Sequence, residues 1–441
     1  LIQHVAFLVE YPGPVLCTFP EEYLSLPKEL LVTVMKGHQK YFAVEDKEGK
    51  LANYFIVISN TTQNNAETVR KGAEKVIKAR FEDARFYFEE DKKITLKERA
   101  EQLKKVIYHE RLGTLYDKTM RISSLADFMA AQSSREKKKD ISTAAAISKA
   151  DLVSGIVREF PELQGIIGSY YALHDGYSDK IAKALSEQYL PGHSGDRLPE
   201  TETGAILSLS DKLDNVASFF MLGLSPTGSE DPFALRRQAI GIISILLDRK
   251  YEMDISGLLD KALQPFKLKN RASVINDLIR FFEQRIEFLL QTYGYPSDSI
   301  SAVMSFVKNK PLYAVKERVD AIQQFKGEPD YDAFLLAIKR INNIAPKSEV
   351  PPVNKELFAQ EEETLLYKEV EALAPQIYSL LDADNYYGAI KLLQTLKEPI
   401  NRFFDKVLIM DKNEEIKQNR LSLVKNIQTL AQEIADFSKL S

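Results

Sequence analysis

A single cysteine, Cys17, stands among 441 residues. No disulfide can close within the chain, and no zinc site built from two or four thiolates is available. A reducing cytoplasm suits such a composition, as would a secreted protein without disulfides; a cytoplasmic location is expected. No apolar run reaches the roughly 18 residues that a membrane span needs. The opening Leu1-Ile2-Gln3-His4 is no signal peptide, and a first residue other than Met leads us to expect a fragment of a longer protein. Glycine-rich phosphate loops are missing as well. Neither G-x-x-x-x-G-K-[ST] nor G-x-G-x-x-G occurs; the nearest approach, Gly223 to Gly228, runs into Ser229 and Glu230 and lacks the lysine that would reach a phosphate. The histidines His4, His38, His109, His174 and His193 include no pair four residues apart, which excludes a zincin. Asp382-x-Asp384 fails as a calcium loop, because Gly388 comes one place late and Leu393 stands where a bidentate Glu is needed.

What is present is ordinary for a globular protein: 44% hydrophobic and 28% charged residues, with length for two to four domains. Lys+Arg 59 against Asp+Glu 63 leaves −4, so bulk charge announces no nucleic-acid binder, while local basic patches remain open. Val15–Phe19, Tyr41–Val44 and Tyr54–Ile58 read as strands, the last two joined by a polar hairpin loop at 45–50. From about Asn64 the pattern turns helical: Val69, Ala73, Val76, Ile77, Phe81 and Ala84 recur at one buried face. Helices are predicted at 98–135, 141–159, 178–188, 202–221, 232–249, 256–265 and 272–293, then at 330–344, 355–380, 384–395, 397–404 and 413–437.

Four groups of residues bear chemistry. His109, Asp151 and Asp211, each expected on a helix, could hold a divalent metal for phosphoester cleavage. Ser210-Asp211-Lys212-Leu213-Asp214-Asn215 resembles the last motif of HD-domain phosphohydrolases, but the place of the His-Asp doublet reads Lys149-Ala150-Asp151, and alanine cannot ligate. The expectation is a degenerate site with no metal and no catalytic residue. Basic and aromatic groups gather at Lys36-Gly37-His38-Gln39-Lys40-Tyr41-Phe42, which suits RNA phosphates with base stacking or a loop entering a buried strand. Asp231 and Pro232 open a helix as N-cap and first residue, with Arg236 and Arg237 beside its free N–H groups; an RNA phosphate or internal carboxylates could take those guanidiniums. Arg340 and Asn343, Arg402 and Lys406, and Asn419 and Arg420 offer the guanidinium, ammonium and amide groups used on splayed-out RNA.

The stretches Met35–Phe42, His109–Lys118, Lys149–Val153, Glu159–Gly165, Pro226–Arg237, Phe403–Met410 and Asn419–Leu421 together resemble the beta subunit of bacterial glycyl-tRNA synthetase, in order along the chain. The resemblance implies a mainly α protein. A small α/β segment at 1–65 would precede an HD-like helical domain at 66–250, a helical connector at 251–325 and a helical anticodon-binding domain at 326–441. An N-terminal domain similar to the B3/B4 module of phenylalanyl-tRNA synthetase is expected to be missing. It also implies tRNA(Gly) and an alpha subunit as partners, in a tetramer of two alpha and two beta chains, with no membrane or DNA partner. ATP and Mg would be used by the alpha chain, leaving no cofactor here. The tRNA-binding set expected is Lys36, Gln39, Lys40, Tyr41, Arg236, Arg237, Arg340, Asn343, Arg402, Lys406, Asn419 and Arg420, and Arg420→Ala or Arg340→Ala is expected to weaken tRNA binding without unfolding the domain. A metal-dependent phosphohydrolase and a helical scaffold that binds no RNA are the rival readings.

Overall fold

A computed structural model describes every residue except 38, 62–64, 134–137 and 229. The chain is mainly helical with two small sheets, as the hydrophobic periodicity predicts. It divides into two compact units, Leu1–Ser218 and Phe219–Ser441.

In the first unit, β1 (Gly13–Thr18), β2 (Phe42–Glu45) and β3 (Leu51–Ser59) form an antiparallel sheet in the order β1-β3-β2. Cys17 faces Phe55 and Val15 faces Val57. Strand alternation turns Val15, Cys17 and Phe55 inward, where they are buried. The helix Ala66–Asp91 packs on this side, burying Ala73, Ile77, Phe81 and Ala84; its Phe81 ring meets Phe19 edge-on at 5.1 Å, and its Phe88 ring lies 5.5 Å from Tyr171. The carboxylate ending that helix, Asp91, is buried and pairs with Arg99 at 2.8 Å. It also accepts from Gly155 N, Ile156 N and Tyr171 Oη at 2.8, 3.0 and 2.9 Å, which fixes three later segments against one helix end.

The helix expected at 98–135 is interrupted. Leu96–Gln102 and Leu115–Ser133 are separate helices, and between them β4 (Ile107–His109) pairs with β5 (Gly113–Thr114). Gly113 takes a positive φ of 84°, which favours glycine, and Asp117 Oδ2 accepts from Thr114 N and Oγ1 at 2.7 and 2.8 Å. Those local bonds outcompete the helical pattern. The expected 141–159 helix breaks likewise into Lys138–Ile147, a short 3-10 turn at Ala150–Val153 and Gly155–Glu159.

In the second unit, the helix Leu235–Arg249 starts three residues later than predicted. Pro232 lies before it, and the cap position is Ala234, in the left-handed region at φ 53°. Asp231 still supplies the capping carboxylate, accepting from Leu235 N and Arg236 N at 2.7 and 2.9 Å. Farther along, the helices Tyr331–Ile344, Glu361–Asp382, Tyr386–Gln394, Lys397–Lys406 and Glu414–Gln432 bury Phe334, Ile338, Ile341, Phe403, Leu423, Val424 and Ile427 among themselves.

Candidate functional site

Asp211 and Asp214 sit three apart on the helix Glu202–Met221, so both carboxylates leave one face. Lys118 and Arg121 have the same spacing on Leu115–Ser133. Lys118 Nζ lies 3.0 Å from Asp211 Oδ1 and 3.0 Å from Asp214 Oδ2, and Arg121 Nε donates to Asp214 Oδ1 at 2.6 Å. Lys149 Nζ closes the group, donating to Asp211 Oδ2 at 2.8 Å and Gln188 Oε1 at 3.0 Å, above the Tyr189 ring at 4.1 Å. All five ionic side chains are buried. Burial opposes the Asp211 charge, but Lys118 and Lys149 outweigh it and hold that carboxyl well below the usual range. Lys118, equally desolvated, is held above the ordinary lysine value by Asp211 and Asp214. For Lys149 burial dominates, and its value falls.

His109 and Asp151 do not join this cluster as ligands. His109 ends β4 rather than lying on a helix, and its Nδ1 accepts from Arg111 N at 3.1 Å. Asp151, in the 3-10 turn, accepts from Gly165 N at 2.5 Å through Oδ2, and burial pushes its carboxyl up. Among the described residues no three His, Cys, Asp or Glu side chains are grouped to hold a metal. The residues present do not fit a divalent ion, because both Asp211 oxygens already face an ammonium group. The sequence signal for this arrangement was available as D-x-x-D at 211–214 and K-x-x-R at 118–121, and reading only for metal ligands passed over it.

Lys36 is exposed on the last turn of the helix Lys28–Gly37, and Gln39 is half-buried. Lys40 Nζ donates to Gly37 O at 2.5 Å, and the Tyr41 ring stacks on Phe55 at 5.1 Å, so Tyr41 is part of the sheet's packing rather than an open platform. His38 lies outside the described residues, as does Ser229. Arg236 turns back onto its own loop, Nη2 donating to Gly228 O at 2.6 Å and Nη1 to Glu230 O at 3.5 Å; Arg237 is exposed.

The C-terminal bundle sorts the remaining candidates into two kinds. Arg340 lies over the Phe404 ring at 4.6 Å and donates to Asn401 Oδ1 and Asp405 Oδ1 at 3.2 and 3.1 Å. Arg402 and Lys406, one turn apart on the same helix as those partners, are exposed, as is Asn343. Asn419 and Arg420 are buried instead. Asn419 accepts from Asn354 N at 2.7 Å and donates to Asn354 O at 2.9 Å. Arg420 donates to Glu363 Oε1 and Oε2 at 2.9 and 3.3 Å, to Leu408 O at 2.8 Å and to Asp411 Oδ2 at 2.8 Å. The structure places the Arg420 guanidinium inside the fold, committed to Glu363, Leu408 and Asp411, and not on the RNA-facing surface expected of it. Glu363, fully buried beneath it, was not singled out; it also closes a capping box with Gln360, its Oε2 accepting from Gln360 N at 2.8 Å.

A helical bundle that presents cationic and amide side chains around an internally bolted core suits the anticodon-binding modules of aminoacyl-tRNA synthetases, and residues 334–436 match the model of the DALR anticodon binding domain. Residues 1–305 match the model of the glycyl-tRNA synthetase beta subunit, and the chain belongs to that family. It is 46% identical over its whole length to the glycine–tRNA ligase beta subunit of Thermodesulfovibrio yellowstonii. The corresponding subunits of Syntrophus aciditrophicus and Trichlorobacter lovleyi are 42% and 41% identical over the whole chain. In each case the chain spans 64% of the relative's length.

Proposed function

We propose that this chain is the tRNA-gripping part of a glycine–tRNA ligase beta subunit, and that it supports ATP-dependent glycylation of tRNA(Gly). The observation that carries the reading is the anticodon-binding match over residues 334–436, on a bundle whose Asn343, Arg402 and Lys406 are exposed. Backbone phosphates are met by such cations, and exposed bases by amide, guanidinium and apolar groups. In this reading glycine, ATP and Mg belong to an alpha subunit, and two alpha and two beta chains assemble in the cytoplasm. The absence of a phosphate-cradling glycine loop from the sequence supports that division of labour. Lys36, Gln39, Lys40 and Arg237 would serve the tRNA outside its anticodon, within the α/β segment and the HD-like domain. The phosphohydrolase alternative loses its footing, since Asp211 is held by Lys118 and Lys149.

Filter binding of glycine tRNA against the same tRNA altered at the second or third anticodon base tests the proposal. Tighter binding of the unaltered tRNA is expected, with affinity falling as salt rises. Equal affinity for both, or no binding at low salt, would overturn it.

A further inference from the structure

Between the helices Lys397–Lys406 and Glu414–Gln432 the chain runs through a bent connection, and the side chains of residues 407–410 alternate in exposure. Val407 and Ile409 are buried at 4% and 5% exposure, while Leu408 and Met410 stand out at 69% and 57%. This short connection is held rigidly. The buried Arg420 takes the Leu408 carbonyl and the Asp411 carboxylate, Asp411 N donates to Ile409 O at 2.9 Å, and Asn413 N donates to Asp411 Oδ1 at 2.9 Å. Two apolar side chains therefore stand in water on a hydrogen-bonded connection.

In the sequence they are flanked by cations. Arg402, Lys406 and Lys412 are exposed and make no ion pair among the described residues. Three of the four nearby acids are already engaged: Asp405 with Arg340, Asp411 with Arg420, and Glu414 with Lys417. Glu415 makes no ion pair among the described residues. Two side chains are far short of the roughly 800 Å² per partner that a stable protein contact buries. An unstacked base presents a face of the right size, and the phosphates on either side of it would meet the unpaired cations.

We propose that Leu408 and Met410 form the platform on which an exposed base of the anticodon loop rests, that Arg402, Lys406 and Lys412 hold the adjoining phosphates, and that Arg420 is a positioning residue that sets the platform from beneath. The proposal rests on the anticodon-binding reading above and assigns it a particular surface. Arg420 takes no part in the contact; it fixes where the contact is made.

Fluorescence anisotropy with a labelled anticodon stem-loop of glycine tRNA, and with the same stem-loop altered at one anticodon base, tests it on the whole chain. The double variant L408A/M410A is expected to bind the unaltered stem-loop at least about tenfold more weakly, to lose discrimination between the two RNAs, and to keep its salt dependence. Leu408→Met should retain affinity. The triple variant R402A/K406A/K412A should weaken both RNAs alike and flatten the salt dependence. Undiminished affinity and discrimination in L408A/M410A, with the triple variant weakened, would overturn the platform and leave the anticodon reading intact. Loss of the alpha subunit from L408A/M410A with RNA affinity unchanged would make the surface a protein contact and overturn the platform too. No binding of either stem-loop by the unmodified chain would overturn both.

Discussion

Lys149 Nζ lies 2.8 Å from Asp211 Oδ2, with both side chains almost wholly removed from water. The other oxygen of that carboxylate faces Lys118 Nζ at 3.0 Å. One carboxylate between two ammonium groups is an internal lock, and its energetics differ from those of a surface ion pair. Desolvation makes the intact group nearly neutral in net worth, whereas removing one member strands a charge in a medium that cannot solvate it.

Asp211→Ala is therefore expected to lower stability by about 3–5 kcal/mol, read as a shift of the urea midpoint at unchanged slope, because it leaves the Lys149 ammonium buried with no ion pair among the described residues. Lys149→Met in the same background should recover part of that loss, because the stranded positive charge goes with it. An Asp211→Ala protein as stable as the parent would mean that Lys149 sheds its proton or that water already solvates it.

Arg420 and Arg402 belong to the same bundle and should behave oppositely. Arg420→Ala removes the partner of the buried Glu363 and frees the Leu408 carbonyl, and a loss of about 3–5 kcal/mol is expected. Arg402→Ala, at an exposed position with no ion pair among the described residues, should change stability by no more than about 0.5 kcal/mol while weakening RNA binding. Thermal or urea melts of the two variants side by side decide the matter. Matching stabilities would remove the distinction between bolt and contact.

Regular periodicity made most elements readable. The strands β1, β2 and β3 and most helices of the C-terminal bundle follow their apolar spacing, although the helix expected from 355 begins at Glu361 and the one expected to reach 437 ends at Gln432. The failures share a cause. Gly113 and the Thr114–Asp117 bonds broke a helical pattern with a few strong local contacts, and Ala234 displaced Pro232 from the helix start through a backbone angle that composition does not reveal. The candidate site was half legible. Exposed Arg402 and Lys406 follow from their place on an amphipathic helix. Arg420 could not be told from a surface arginine, because Glu363, its partner, lies 57 residues away. In the apolar run Val407-Leu408-Ile409-Met410 the sequence does not show which side chains turn outward, and tertiary packing selects Leu408 and Met410.

Cys17 should be chemically silent in the folded chain. It is fully buried in β1, and burial, reinforced by the Glu74 carboxylate, pushes its thiol up to about 11. Alkylation by iodoacetamide near pH 8 is expected to be negligible under native conditions and complete in denaturant, as mass spectrometry would show. The sign of the linked stability follows: from about pH 9 the unfolded chain loses the thiol proton first, so stability falls as pH rises from 9 towards 11. Rapid native labelling at pH 8 would show that β1 opens readily.

The Asp231 carboxylate offers a last separation of structure from contact. It accepts from the first two N–H groups of Leu235–Arg249, while Arg236 is turned onto the carbonyls of Gly228 and Glu230. Truncation to Asp231→Ala removes two acceptors and should cost about 1–2 kcal/mol, the upper range for a lost helix cap. Arg236→Ala frees two carbonyls that water can reach, and should cost less. If Arg236 also met an RNA phosphate, its loss would reduce the salt dependence of tRNA binding, whereas Asp231→Ala would not. Given that its donors are already committed, the expectation is that neither variant changes that salt dependence. A flatter response in Arg236→Ala alone would show that the guanidinium swings out to bind RNA.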